Sequence, residues 1–255
     1  MDTTLLKGLK LLEILARSPQ ARGTTDLAGA LGVPKSNAHR TLQSLIHAGF
    51  VQQDENGLYE CTSKLFELGN AAFGRQDIRK IAAGEMQRLA SITKETIHLS
   101  ILDRIEVIYI DKIESPQPVR AYSEIGGRAP AHCVASGKAQ LAFAGAHKLD
   151  ALPDPLPSFS SHTRASRADL NKELVQIREL GYAVNRGEWR ESVGGVASPI
   201  FDATGRCVAA IGVSGPTDRM TATEREQYSS EVLAAARAVT RMTGGDFDLA
   251  RRSTR

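Results

Sequence analysis

Cysteine is scarce in this chain: Cys61, Cys133 and Cys207 are the only three in 255 residues. They form no CxxC and no Cys/His pair at zinc spacing, which argues against a disulfide framework and a zinc finger. Long apolar runs are missing as well. No stretch approaches the roughly 20 residues of a membrane span, and the start has no signal-peptide core. A reduced, cytoplasmic chain with no membrane partner is the expectation. Net charge is only +3, so a nucleic-acid site, if present, must concentrate its positive charge locally. Gly137-Lys138 is no phosphate loop, since no Gly lies five residues earlier and Ala139 stands where Ser or Thr is needed. No cofactor and no metal are expected.

One absence is positional. Between Leu27 and Gln53 there is no acid, while Lys35, His39, Arg40 and His47 fall inside that window. The window predicts a short helix begun by Thr25 or Asp26 as cap, a turn at Gly32-Val33, and a second helix with Pro34 at its first position. In that second helix Ala38, Leu42 and Leu45 recur at i, i+4 and i+7 and make an inward stripe. Lys35, Ser36, Asn37, His39, Arg40 and Gln43 lie away from it, and each side chain can donate to a phosphate or a base edge. This is the pattern of a helix-turn-helix with its recognition helix. A solvated polar face would look the same in isolation, so the surroundings decide.

Before this motif, residues 4–16 predict an amphipathic helix with Leu5, Leu9, Leu12 and Ala16 on one stripe, widened by Leu6, Leu11, Ile14 and Leu15. After it, Gly49 ends the recognition helix, and Phe50–Gln53 and Leu58–Cys61 flank an Asp54-Glu55-Asn56-Gly57 turn. Three helices followed by a hairpin predict a winged helix. Residues 63–73 predict a linker helix with more apolar surface than a solvated connector needs, which points to self-association, as symmetric dimers read paired DNA half-sites.

A helix over 78–93 follows, and then the periodicity becomes alternating. Ile97, Leu99 and Ile101 fall on one face and His98 and Ser100 on the other. Strands are expected at 107–113, 119–125, 182–186, 193–201 and 207–214, with helices over 136–146 and 169–180. Thr221 and Glu224 form a capping box for a terminal helix. The fold class is α+β: a winged helix-turn-helix at 1–62, a linker helix at 63–77, a mixed α/β domain at 78–246 that suits a small-molecule sensor or a small enzyme, and a flexible tail at 247–255.

These pieces together resemble the isocitrate lyase regulator (IclR) family of bacterial transcription factors. The matching stretches are LAGALGVPKSNAHRTLQSLIHAGFV with the wing and Tyr59, then GGRAPAHCVASGKAQLAF, ELGYAVNRGEWRESVGGVASPIFD and VAAIGVSGP. The chain departs from the family at Asn37, where Thr is usual, and at Glu60-Cys61, where Leu-Gly is usual. The first leaves base preference open and the second touches only the wing's exit. The resemblance implies a GAF- or profilin-like effector-binding domain for a small metabolite, often an organic acid or aromatic compound. It also implies a homodimer or dimer of dimers on a pseudo-palindromic operator in double-stranded DNA, acting as repressor or activator.

On this reading Thr24, Thr25, Lys35 and the wing touch phosphates, and Ser36, Asn37, Arg40 and Gln43 approach bases, with His39 beside them. The pocket edge is placed at Ala131, His132, Cys133, Ala135 and Ser136, ahead of a helix whose free amides would hold a carboxylate. Glu188 and Trp189 form a wall, Gly195 and Gly212 admit a ligand close to backbone, Ser198 and Ser214 offer hydroxyls, and Arg120 pairs with an acid. The rival reading is a small cytosolic enzyme using the Cys133 region. Against it, His132 and Cys133 as strand neighbours would point to opposite faces. A protein-binding winged helix without a DNA role is a third reading.

Overall fold

In a computed structural model the described residues are 3–72 and 77–252. They divide near residue 75 into two compact units.

The N-terminal unit is built from α1 (Thr3–Ala16), α2 (Thr24–Leu31), α3 (Lys35–His47), a hairpin of β1 (Val51–Gln53) and β2 (Tyr59–Cys61), and α4 (Lys64–Ala72). Its core joins Leu11 and Leu15 of α1, Leu27 of α2, Leu42 of α3, Val51 and Tyr59. Gly32 makes the turn between α2 and α3 in the left-handed region, φ 67°, which a side chain would strain. Beyond α3, Gly49 adopts φ 77°, and the Phe50 amide closes back onto the Leu45 carbonyl at 2.9 Å, ending the helix. Asp54 folds the hairpin, its carboxylate accepting from the amides of Asn56 (2.9 Å) and Leu58 (2.8 Å).

Several local expectations are corrected here. The buried stripe of α1 is Leu11 and Leu15, whereas Leu5 and Leu9 are 60% and 55% exposed. The helix is apolar around most of its girth, so periodicity alone did not pick the inner side. Neither Thr25 nor Asp26 caps α2, which begins at Thr24 behind Gly23 without a side-chain cap. Asp26 is instead ion-paired with Arg22. Pro34 sits just before α3 rather than in its first turn, with extended backbone at ψ 145°.

The C-terminal unit centres on a six-stranded, wholly antiparallel sheet. After α5 (Ile78–Thr93) come β3 (Thr96–Asp103), β4 (Glu106–Ile113), β5 (Arg128–Pro130), α6 (Ala135–Leu141), α7 (Ala146–Asp150), α8 (Arg167–Leu180), β6 (Ala183–Arg186), β7 (Val193–Phe201), β8 (Cys207–Pro216), α9 (Ala222–Met242) and α10 (Phe247–Arg252). The strand order is β5-β4-β3-β8-β7-β6. One face packs on α5, α9 and α10 through Ile97, Leu99, Val196, Ile211 and Val213. The other face, with Tyr109, Ala197 and Ala210, packs on α6 and α8. Alternation along β3 therefore separates Ile97 and Leu99 from His98 and Ser100 as the sequence predicts, but both sides are buried.

No strand forms at 119–125; residues 114–127 make an irregular strap. Pro116 and Pro118 lie at its start, where their missing N–H groups cannot join a ladder. Thr221 takes the N-cap position of α9 but makes no side-chain cap bond. The tail expected from residue 247 is helix to Arg252, with Phe247 edge-on to Phe201 at 5.3 Å and both Phe247 and Ala250 buried; 253–255 lie outside the described residues. Phe247→Ala should lower the unfolding free energy of this unit by about 3 kcal/mol, measured by urea denaturation. Loss of a dangling tail would cost nothing.

Candidate nucleic-acid interface and effector pocket

On α3 the inward stripe leaves Lys35, Ser36, Asn37, His39, Arg40 and Gln43 all exposed. Thr25 is exposed and Thr24 half-buried at the start of α2. Among the described residues no ion pair engages Lys35 or Arg40, so both charges face solvent. Arg22, bidentate on Asp26 and 2.7 Å from it through one of its nitrogens, pairs with the acid in the first turn of α2. The wing is less suited to phosphate than the sequence suggested. Gln52 is taken by Glu60 (2.7 Å) and Gln53 by the Gly57 carbonyl (3.0 Å), and Glu55 stands exposed at the tip.

In the C-terminal unit a small cavity of about 50 Å³ opens on the α6 face of the sheet. Its wall includes six of the residues singled out from sequence: Ala135, Ser136, Trp189, Gly195, Gly212 and Ser214. Gly212 is required by strand packing, because a Cβ there would lie 2.6 Å from that of Ala197. Arg120, Ala131, His132, Cys133, Glu188 and Ser198 do not line it. Arg120 is exposed beside Glu114 at 3.4 Å. Ser198 is buried and donates to the Gly181 carbonyl at 2.7 Å, fastening the end of α8.

His132 and Cys133 lie in a 3-10 turn, Ala131–Cys133, not in a strand. The His132 ring nitrogen meets the Pro157 carbonyl at 2.9 Å, and His132 borders a separate cavity with Phe159. Burial pushes the Cys133 thiol up to about 12, far from a nucleophile's range. No catalytic dyad is assembled.

Sequence reasoning missed the most polar part of the pocket. His98 projects from β3 with its ring 4.7 Å from that of Tyr109. One ring nitrogen bonds the Ser123 hydroxyl at 2.7 Å and the other the Ser214 hydroxyl at 3.1 Å. Burial, then the Lys112 charge, lowers the His98 pKa to about 4, so the ring is neutral at physiological pH. The alternation of β3 had already placed His98 opposite Ile97 and Leu99; what was not visible was the strap bringing Ser123 over it.

Glu188 supports the wall from behind. Lys138 of α6, with no exposed surface, donates to Glu188 at 2.7 Å and to Glu173 of α8 at 2.8 Å. Arg164 reaches Glu173 as well. Burial pushes Glu173 up, but Lys138 and Arg164 together hold it below the usual carboxylate range. For Glu188 burial outweighs Lys138 and the carboxyl lies above that range. Asn185 completes the support by accepting from the amides of Gly187 and Glu188, each at 3.0 Å. Trp189 follows, with the Arg190 guanidinium 4.4 Å from its ring centre.

A winged helix with a free basic face, joined in one chain to an α/β domain with a small cavity on its sheet, has the build of a one-component transcriptional regulator. Residues 4–55 match the IclR helix-turn-helix domain, and residues 70–241 match the family described as bacterial transcriptional regulator IclR C-terminal. The chain belongs to the IclR family. It is 35% identical over 241 residues to the HTH-type transcriptional regulator XynR of Escherichia coli K12, covering 93% of this chain and 96% of the relative. The transcriptional repressor IclR of the same strain is 31% identical, with 95% and 90% covered. The crystal structure of the Thermotoga maritima IclR superposes with a TM-score of 0.78 at 30% identity, covering 96% of this chain and all of the other. An IclR homologue from Microbacterium hydrocarbonoxydans, solved with 4-hydroxybenzoate, has the same fold (TM-score 0.81, 23% identity, 98% and 100% covered). The protein is thus a DNA-binding transcriptional regulator with a C-terminal effector-binding domain, and not an enzyme. No helix of the described residues is long and apolar enough to cross a membrane.

Lys138→Met would leave Glu188 buried without its cation and should cost about 3–5 kcal/mol of stability, read by urea unfolding through Trp189 fluorescence. Adding Glu188→Leu should return part of that loss. A Lys138→Met protein of unchanged midpoint would show the network to be energetically idle.

Proposed function

We propose that α3 enters the major groove of operator DNA with Ser36, Asn37, Arg40 and Gln43 at the base edges, and that Lys35, His39, Thr24 and Thr25 hold phosphates. The observation that carries this reading is the exposed, acid-free face of α3, with both of its cations unpaired. The wing contributes little beyond its backbone and Asn56, since its acids repel phosphate. The DNA-binding module ends near residue 62, residues 63–77 link it onward, and the effector domain starts at 78.

A homodimer, or a dimer of dimers, presents two such helices to a pseudo-palindromic site in the cytoplasm. Leu5, Leu6 and Leu9 of α1 and Phe66 and Leu68 of α4, all exposed, supply apolar surface for self-association. The effector is a small organic or aromatic acid held in the His98–Trp189 pocket. The 4-hydroxybenzoate seen in the Microbacterium homologue is of this class. Its binding shifts the population of dimer arrangements, which requires different affinity for the two states.

Arg40→Ala should weaken binding to a specific operator by about 1–3 kcal/mol if Arg40 reads a guanine. Gel-shift titration on operator and random duplexes separates the cases, for an equal loss on both would make Arg40 a phosphate contact. For the pocket, a thermal-shift screen of small carboxylates and aromatic acids should find a stabilising ligand whose effect disappears in Trp189→Ala. No hit across a broad panel would remove the effector assignment and leave the DNA assignment standing.

A further inference from the structure

The pocket contains a titratable group that no part of the reading so far uses. Among the described residues lining the cavity none is Asp or Glu, so an anion entering it meets no fixed negative charge. Each group facing His98 can be named. From β4 come Tyr109 and Lys112, the latter directly opposite His98 in the strand register. Lys112 is held by Glu114 and by the Ser123 carbonyl, each at 2.7 Å. From β8 come Gly212, which has no side chain, and Ser214. The strap supplies Ser123 and Tyr122, α6 supplies Ser136, and Arg190 closes the side beyond Trp189. The charged side chains closest to the ring, Lys112 and Arg190, are cations; the acids nearby are engaged elsewhere, Glu114 with Lys112 and Glu124 with the Tyr122 hydroxyl.

The two serines make the ring adaptable. A hydroxyl donates or accepts as required. Around a neutral imidazole one serine accepts from N–H and the other donates to the bare nitrogen. Around an imidazolium both accept, and the change needs the rotation of one hydroxyl.

Building on the effector assignment above, we infer that His98 is the group that recognises the acid function of the effector, and that it takes up one proton when the carboxylate enters. Free of ligand, the ring stays neutral because it is buried and near Lys112. A carboxylate beside it supplies the counter-charge that the site lacks and raises the pKa, which is the linkage condition for proton uptake. The sign is fixed: affinity is highest at low pH and falls as pH rises, from the free-ring value upward until the pKa of the complex is passed. The proton comes from solvent, and no covalent bond changes.

Calorimetric titration of the full chain tests this with 4-hydroxybenzoate, benzoate and pyruvate, beside the uncharged 4-hydroxybenzamide and benzamide, at pH 5.5 and 7.5. Using two buffers of different ionisation enthalpy counts the protons. The expected result is a carboxylate that binds about tenfold to a hundredfold more tightly at the lower pH with proton uptake, about a hundredfold being the limit for one proton across two pH units, while an amide shows no pH dependence. In His98→Gln the pH dependence should vanish. The buffer comparison on the wild-type chain needs no variant, so a misfolded His98→Gln would not rescue the idea. Carboxylate binding without proton uptake, or a pH dependence that survives in His98→Gln, overturns it. Amides binding where no acid does would overturn it together with the acid class of the effector, leaving only the pocket; silence from these ligands and from the wider carboxylate panel removes both.

Discussion

The buried cation of Lys138 is the constraint around which the effector domain is arranged. A lysine with no exposed surface is tolerable only when carboxylates surround it, and here they come from two separate places, α8 and the turn after β6. Satisfying one charge therefore fixes the distance of α6 from α8 and the path of residues 187–189. The pocket wall that Trp189 forms is a by-product of that electrostatic requirement. Gly137, next to Lys138, shows how tightly α6 is seated: a Cβ on it would lie 2.2 Å from the Ala131 carbonyl oxygen, so only glycine permits the helix to bring Lys138 to its partners.

The helix-turn-helix was legible because its signals are local. An acid-free window, a stripe at Ala38 and Leu42, and glycines at the two helix ends act within a few residues of one another, and the fold leaves them where the pattern put them. The alternation of β3 was legible for the same reason. The strap was not. Residues 119–125 have the apolar content of a strand, but Val119, Tyr122 and Ile125 are exposed. The strap is held by side chains from elsewhere, such as Arg219 donating to the Val119 carbonyl at 2.8 Å. Contacts made across a hundred residues leave no periodicity behind.

The pocket was half legible for a related reason. Glycines, small residues and the lone tryptophan are conspicuous in a sequence, and six of the residues they marked line the cavity. His98 was read only as the polar half of an alternating strand, and its importance depends on Ser123 and Ser214, which lie 25 and 116 residues away. In the other direction, the cluster of His132, Cys133 and Ser136 drew the eye to chemistry that the 3-10 turn disperses. Proximity in sequence overstated that site, and distance in sequence concealed the other.

The state of Cys133 bears on what a sensor of this kind can safely hold. It stands one residue from Val134, which lines the pocket, and its thiol titrates at about 12. At neutral pH the thiol there stays protonated. An electrophilic metabolite entering the cavity thus meets no cysteine thiolate behind its wall.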